Sequence, residues 1–391
     1  MTGQKSNRNR VYRRVVVKAG TALITGGSNE LDIATMSDLV TQIAQLQDEG
    51  CQMLLVSSGA VAAGRHAIGR SNGHGSLNMR QLLAAIGQGR VMSAYERLFG
   101  QHGVHVAQAL LTGRDINDRE GYLNIRNTLL GLIDLKVVPI INENDVVAVD
   151  ELSGEMFGDN DMLSAMVANI VDADLLIMLG RVNGLYTADP NLDTTARPIQ
   201  VVTAFTDEIE ALGGPSADGR GRGGMTTKLE AAKLATASGV DSIVASGKQP
   251  RVIRRLVHGE SLGTFFPTSA TRMESRKRYL LSQMRESDAV IVDGGAARAL
   301  LHRNSSLLAA GVVDSLGDFD RGDVVMILDV GRHHLACGIS NYSSRDIRRI
   351  RRLRSDRIEL TLGHYFGDEV LHRDNIVILN QTAHAETVGS G

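Results

Sequence analysis

Tryptophan is absent from this 391-residue chain and aromatic residues make up only 4% of it. A surface that stacks exposed bases is therefore poorly supplied. Cysteine is nearly absent too. Cys51 and Cys337 lie far apart, lack metal-ligand spacing, and read as reduced thiols of a cytosolic protein. Neither sign of charge is in excess: 42 Lys and Arg face 44 Asp and Glu, a net −2, with a sequence pI of about 6.6. Bulk electrostatic capture of nucleic acid or an anionic membrane is not suggested. No apolar run reaches the length needed to cross a bilayer, so no membrane partner is expected. Residues 1–14 carry Lys5, Arg8, Arg10, Arg13 and Arg14 without an apolar core, and are expected to form a basic, solvated extension rather than a secretory signal.

Hydrophobic residues are plentiful, at 43%, and the length favours two domains. Through the first two thirds, β-branched apolar runs (15–18, 53–56, 104–107, 137–141, 174–179, 241–245) alternate with helical spacings. Residues 36–49 place Met36, Leu39, Val40, Ile43 and Leu46 on one face and stop at Gly50; residues 60–68 resume as helix. This predicts an α/β fold, a mostly parallel open sheet sandwiched by helices over residues 15–270. A charged stretch over 270–285 marks the approach to a boundary. Beyond it the runs 289–292, 324–328, 336–339 and 376–379 predict a smaller C-terminal β-rich domain over 286–375, followed by a loose polar tail, 380–391.

In parallel sheets, ligands bind outside the carboxyl ends of the strands. Two candidate anion-binding turns fall there, and a third lies elsewhere in the chain. Lys18-Ala19-Gly20-Thr21 ends one strand, and its glycine lets backbone amides approach an anion. Ser57-Ser58-Gly59-Ala60 leads into a helix N-terminus. Residues 219–228 (GRGRGGMTTK) match G-x-G-x-x-G only formally, because no strand precedes them, and they are not a Walker A loop either. The reading is a glycine-rich loop that closes over phosphates and opens a helix, 228–237, with Lys228 at its start. Two polar segments, Asn142-Glu143-Asn144-Asp145 and Gly158-Asp159-Asn160-Asp161, sit at a strand exit and a helix entry. Seven of these eight residues have polar side chains able to contact a ligand. Lysines, anion-binding turns and a carboxylate-carboxamide box together imply phosphoryl transfer to a small polar acceptor. No nucleophile–base pair accompanies them, and a carboxylate acceptor needs none: with a pKa of about 4.3 it is already ionised at neutral pH. Its repulsion from the γ-phosphate must instead be offset by lysines and Mg²⁺.

Six of the eleven histidines lie beyond residue 286 with no metal-site spacing. The run from Arg345 to Arg357 holds seven arginines in thirteen residues and raises RNA binding. Residues 286–391 nevertheless carry 12 Lys and Arg against 15 Asp and Glu, which favours a solvated helix face or an intersubunit surface over a nucleic-acid site.

In these elements the chain resembles the bacterial glutamate 5-kinase family, which joins an amino acid kinase fold to a C-terminal PUA domain. The resemblance runs from Val15 to about Asp374, through VKAGT (17–21), SSGAVAAG (57–64), QLLAA (81–85), INEND (141–145), GDND (158–161), GLYTADP (184–190) and GGMTTK (223–228). It implies ATP-dependent phosphorylation of L-glutamate to L-glutamyl 5-phosphate, the first step of proline biosynthesis. ATP and Mg²⁺ are the implied cofactors, proline a feedback inhibitor, and a homo-oligomer the usual assembly. By the same resemblance Lys18 and Lys228 bridge the transferring phosphate, and Asp161 orients them. Ser58, Asp145 and Asn160 hold glutamate. Lys18, Gly180, Arg181, Arg222, Gly223, Gly224, Met225, Thr226, Thr227 and Lys228 line ATP. The family commonly has Thr-Asp where this chain has Gly180-Arg181, and Thr where it has Arg222. Another acid or nucleotide kinase of this fold is the nearest alternative, which the PUA-like tail disfavours; an RNA-binding module is the alternative of a different class.

Overall fold

Why the first long helix starts where it does is settled by one side chain. Asp32 accepts from the Thr35 amide at 3.0 Å, so α1 spans Ile33–Asp48 and begins a turn before its first buried apolar residue, Met36. The predicted stripe of Met36, Leu39, Val40, Ile43 and Leu46 is fully buried, and Gly50 at φ +92° ends the run. The computed structural model describes residues 11–69, 77–148, 160–190, 192–214, 224–268, 280, 285, 287–303 and 305–379. Most of the basic extension, nearly all of the 270–285 stretch and the tail from 380 lie outside them.

The chain divides into two units, residues 1–117 with 125–272, and residues 118–124 with 273–391. In the first, β1 (Arg14–Ala19), β2 (Gln52–Ser57), β3 (Val106–Leu111), β4 (Val138–Glu143), β5 (Leu175–Gly180), β6 (Asp241–Ser246) and β7 (Thr264–Phe266) form one sheet in the order β3-β4-β2-β1-β5-β6-β7. Every pairing is parallel except β6 with β7. The inner strands are buried almost without interruption, as expected of a sheet covered on both faces. The third strand starts two residues later than the apolar run suggested, at Val106 rather than Val104.

The other longer helices of this unit are α2 (Ala60–Ala67), α3 (Leu77–Gly100), α4 (Arg119–Asp134, of which residues 119–124 count with the second unit), α5 (Asn160–Ile170) and α6 (Met225–Ala237), with the shorter α7 (Val252–Val257) and further short helices at Thr21–Ile24, Gly113–Asn117 and Asp207–Ala211. Helix α3 runs for 24 residues straight through Gly87 and Gly89. Its Gly87 meets α2 at Gly64 so closely that a Cβ on Gly87 would lie 1.8 Å from the Ala60 carbonyl oxygen. Only paired glycines allow that crossing. Strand β1 lies between β2 and β5. The chain goes from β1 to β2 on one side and reaches β5 on the other only after β4 and α5, which packs across β1, β2, β4 and β5. The strand order therefore switches at β1, and the carboxyl ends of its neighbours open a crevice there.

The second unit holds a five-stranded sheet of β8 (Ala289–Val292), β9 (Val312–Leu316), β10 (Val324–Asp329), β11 (His334–Ile339) and β12 (Ile376–Ile378), in the order β9-β8-β10-β11-β12. Its core is built from Val290, Val292, Val325, Ile327, Leu335, Tyr342, Ile347 and Ile350. The arginine run is not one helix face. The helix Ser344–Ile350 takes Arg345, Arg348 and Arg349, and the chain turns at Arg352, φ +62°. Several of these arginines are engaged within the unit: Arg351 with Asp314, Arg345 with Asp318, Arg354 with Asp356, and Arg348 on the Gly317 carbonyl.

Candidate active site

Three elements converge on one carboxylate. Lys18 leaves β1 one residue before its end; Asp161 is the second residue of α5; Lys228 lies in the first turn of α6. Helix α5 packs on β1 and also on α6, which brings their N-terminal turns to the exit of β1. Lys18 Nζ stands 2.6 Å from Asp161 Oδ1, and Lys228 Nζ 2.8 Å from Oδ2. All three are buried, with relative exposures of 3%, 0% and 8% for Lys18, Asp161 and Lys228. Burial alone would raise the Asp161 pKa, but the ammonium groups of Lys18 and Lys228 outweigh it and hold the carboxyl far below the ordinary range. The cluster thus sets two ammonium groups on one carboxylate in a water-poor site. Buried ammonium groups of that kind are stabilised by an anion brought to them.

Thr227 Oγ1 lies 3.0 Å from both Asp161 Oδ2 and the Gly224 carbonyl, so the first turn of α6 is tied to the same carboxylate. Helix α6 starts at Met225 with Gly224 as its extended N-cap, three residues earlier than the sequence pattern suggested. Lys228 is therefore held on the helix and is not a loop residue at its mouth. Thr226 Oγ1 donates to the Gly214 carbonyl at 2.8 Å. Gly180 closes β5 beside this lysine: a Cβ there would sit 3.4 Å from Lys228 Cε. Arg181 follows, exposed. Arg222 and Gly223 lie outside the described residues, as do Gly158 and Asp159.

On the other side of β1, Ser58 and Gly59 link β2 to α2. Gly59 has φ +98°, and a Cβ there would lie 2.6 Å from Ile24 Cδ1, so this turn accepts glycine alone. Ser57 Oγ and Tyr95 OH lie 2.8 Å apart in the core, where burial pushes the phenol up to about 12. The polar box is brought together in part. Asn142 and Glu143 are the last residues of β4, and Asn160 and Asp161 the first of α5. Asn160 Nδ2 donates to Ser58 Oγ at 2.6 Å and to Asn142 Oδ1 at 3.0 Å. Asp145 sits half-buried in the turn after β4, which is closed by the Val147 and Ala148 amides on the Asn144 carbonyl. Gln88 of α3 was not anticipated: it accepts from Asn142 Nδ2 at 2.8 Å, across 54 positions of sequence. Nothing local in the sequence marks it.

Among the described residues no three His, Cys, Asp or Glu side chains cluster to hold a metal. Both Asp161 oxygens face ammonium groups. Mg²⁺ needs no all-protein cage, since it commonly keeps its waters and rides on substrate phosphates with one or two carboxylates. The donor set fits a metal that arrives with a nucleotide.

Comparison with known proteins bears on the whole chain. The model of the amino acid kinase family matches residues 13–246, and that of the PUA domain residues 288–362. A glutamate 5-kinase of Dehalococcoides mccartyi is 49% identical over 368 residues, covering 94% of this chain and 99% of that protein. The glutamate 5-kinase of Herpetosiphon aurantiacus is 45% identical, covering 94% of this chain and 98% of its own length. That of Deinococcus radiodurans is 44% identical, covering 94% of this chain and all of its own.

Proposed function

Because this chain belongs to the glutamate 5-kinases of the amino acid kinase family, we propose that it transfers the γ-phosphoryl group of ATP to the side-chain carboxylate of L-glutamate. The products are ADP and L-glutamyl 5-phosphate. The observation that carries this reading is the bridge of Lys18 and Lys228 on Asp161. Glutamate's side-chain carboxylate is ionised at neutral pH, with a pKa of about 4.3, and attacks without a general base. What resists reaction is repulsion between that carboxylate and the anionic phosphoryl group. Two ammonium groups fixed in advance offset it where charge develops. Asp161 sets the spacing of the lysines and, with both oxygens engaged, takes no proton from the substrate.

Ser58, Asp145 and Asn160 hold glutamate on this reading, and Gly180, Arg181, Arg222, Gly223 and residues 224–228 cover ATP. Mg²⁺, carried by the nucleotide, supplies further charge neutralisation when bound. The product serves as the first intermediate of proline biosynthesis, proline acts as feedback inhibitor, and the protein works as a homo-oligomer. Two free cysteines and the lack, among the described residues, of any helix able to cross a membrane suit a cytoplasmic enzyme.

The test is an acceptor panel. The full chain is given ATP, Mg²⁺ and hydroxylamine with L-glutamate, L-aspartate, N-acetyl-L-glutamate or UMP, while ADP release and hydroxamate are followed. Glutamate should support both signals and the others little. No glutamate-dependent signal with any nucleoside triphosphate would refute the proposal.

A further inference from the structure

The carboxamides of Gln88, Asn142 and Asn160 form a line whose polarity is fixed from one end. The Ser57 carbonyl can only accept, so the Asn160 atom 3.3 Å from it is the amide nitrogen. That nitrogen also reaches Ser58 Oγ at 2.6 Å and Asn142 Oδ1 at 3.0 Å. With its oxygen turned to Asn160, Asn142 must present its own NH₂ to Gln88, whose Oε1 accepts at 2.8 Å. Reversing any one amide would set donor against donor or acceptor against acceptor along the line.

Two consequences reach the ligand. Ser58 Oγ accepts from Asn160, so its own proton is turned elsewhere, at the N-terminal end of α2, where an anion is favoured. Asn160 Oδ1 is buried and has no hydrogen-bond partner among the described residues. A buried acceptor left unpaired is costly, and a donor cation would satisfy it. An α-amino acid carries both complements, a carboxylate and an ammonium group.

We propose that Gln88 is a positioning residue for substrate recognition: through Asn142 it locks Asn160 and Ser58 in the polarity that reads the amino-acid end of the substrate. The inference rests on the reading that glutamate occupies this site. Gln88 touches neither lysine in any hydrogen bond or ion pair, so its effect belongs to binding and not to the chemical step.

Calorimetric titration of the full chain with L-glutamate tests this without relying on turnover. Gln88→Leu, which removes the acceptor, should weaken glutamate binding about tenfold, the scale of one hydrogen bond. Its kcat at saturating glutamate should stay at the wild-type value, while its melting temperature falls modestly because the buried Asn142 amide loses its acceptor. Gln88→Glu keeps an oxygen facing Asn142 and should restore most of the affinity. Wild-type affinity in Gln88→Leu, or equal losses in the Leu and Glu variants, would overturn the proposal. If the wild-type chain binds glutamate but does not phosphorylate it, the proposed activity fails while the same titrations still judge Gln88. If it binds no glutamate, both fail.

Discussion

At the scale of single residues, the account turns on one buried carboxylate serving two cations. Removing Lys228 leaves Lys18 and Asp161 as a neutral pair, so the fold should survive. The transition state loses a fixed positive charge. Lys228→Ala should therefore cut kcat by about 10²- to 10³-fold, the usual range for one preorganised stabilising group, with the glutamate Kd nearly unchanged. Steady-state kinetics paired with calorimetry decide the matter; an unchanged kcat with weakened glutamate binding would move Lys228 out of the assigned role. Lys18, Asp161 and Lys228 could be singled out from sequence because each adjoins a glycine, serine or polar signal at an element's end. Gln88 could not. It sits mid-helix among small and apolar residues, and its partner Asn142 is distant in the chain.

Elements set how well those residues are aimed. Apolar β-branched runs between helical spacings made the inner strands readable, because a sheet buried on both faces demands them. Helix α3 was not readable as one helix, since Gly87 and Gly89 look like breaks. In the fold the first of them is a contact point with α2. Gly87→Val should thus destabilise the protein by at least about 3 kcal/mol, the upper end of overpacking costs. At Gly89 a Cβ meets nothing within 4 Å, so Gly89→Ala should be neutral or stabilising by up to about 1 kcal/mol. Urea unfolding followed by circular dichroism separates them, and similar midpoints for the two variants would remove the close crossing from the account. Because α3 carries Gln88 and α2 begins after Ser58, this crossing also fixes the recognition side of the site.

For the whole molecule, two units answer to two family models, the amino acid kinase family and the PUA domain. The change of texture after residue 285, from long buried strands to short ones, made the second unit visible in sequence; the strand Val312–Leu316 was missed because Asp314 and Ser315 break its apolar run. Lys18 and Lys228 are the buried cations of the site, both on Asp161. The central claim is that glutamate's own side-chain oxygen attacks phosphorus at that place. It is tested most directly by giving the full chain L-glutamate labelled with ¹⁸O in the side-chain carboxylate, together with ATP, Mg²⁺ and hydroxylamine, and weighing the released phosphate by mass spectrometry. The account predicts one ¹⁸O in each phosphate released with hydroxamate; unlabelled phosphate would contradict it, because water and not glutamate would then have taken the phosphoryl group.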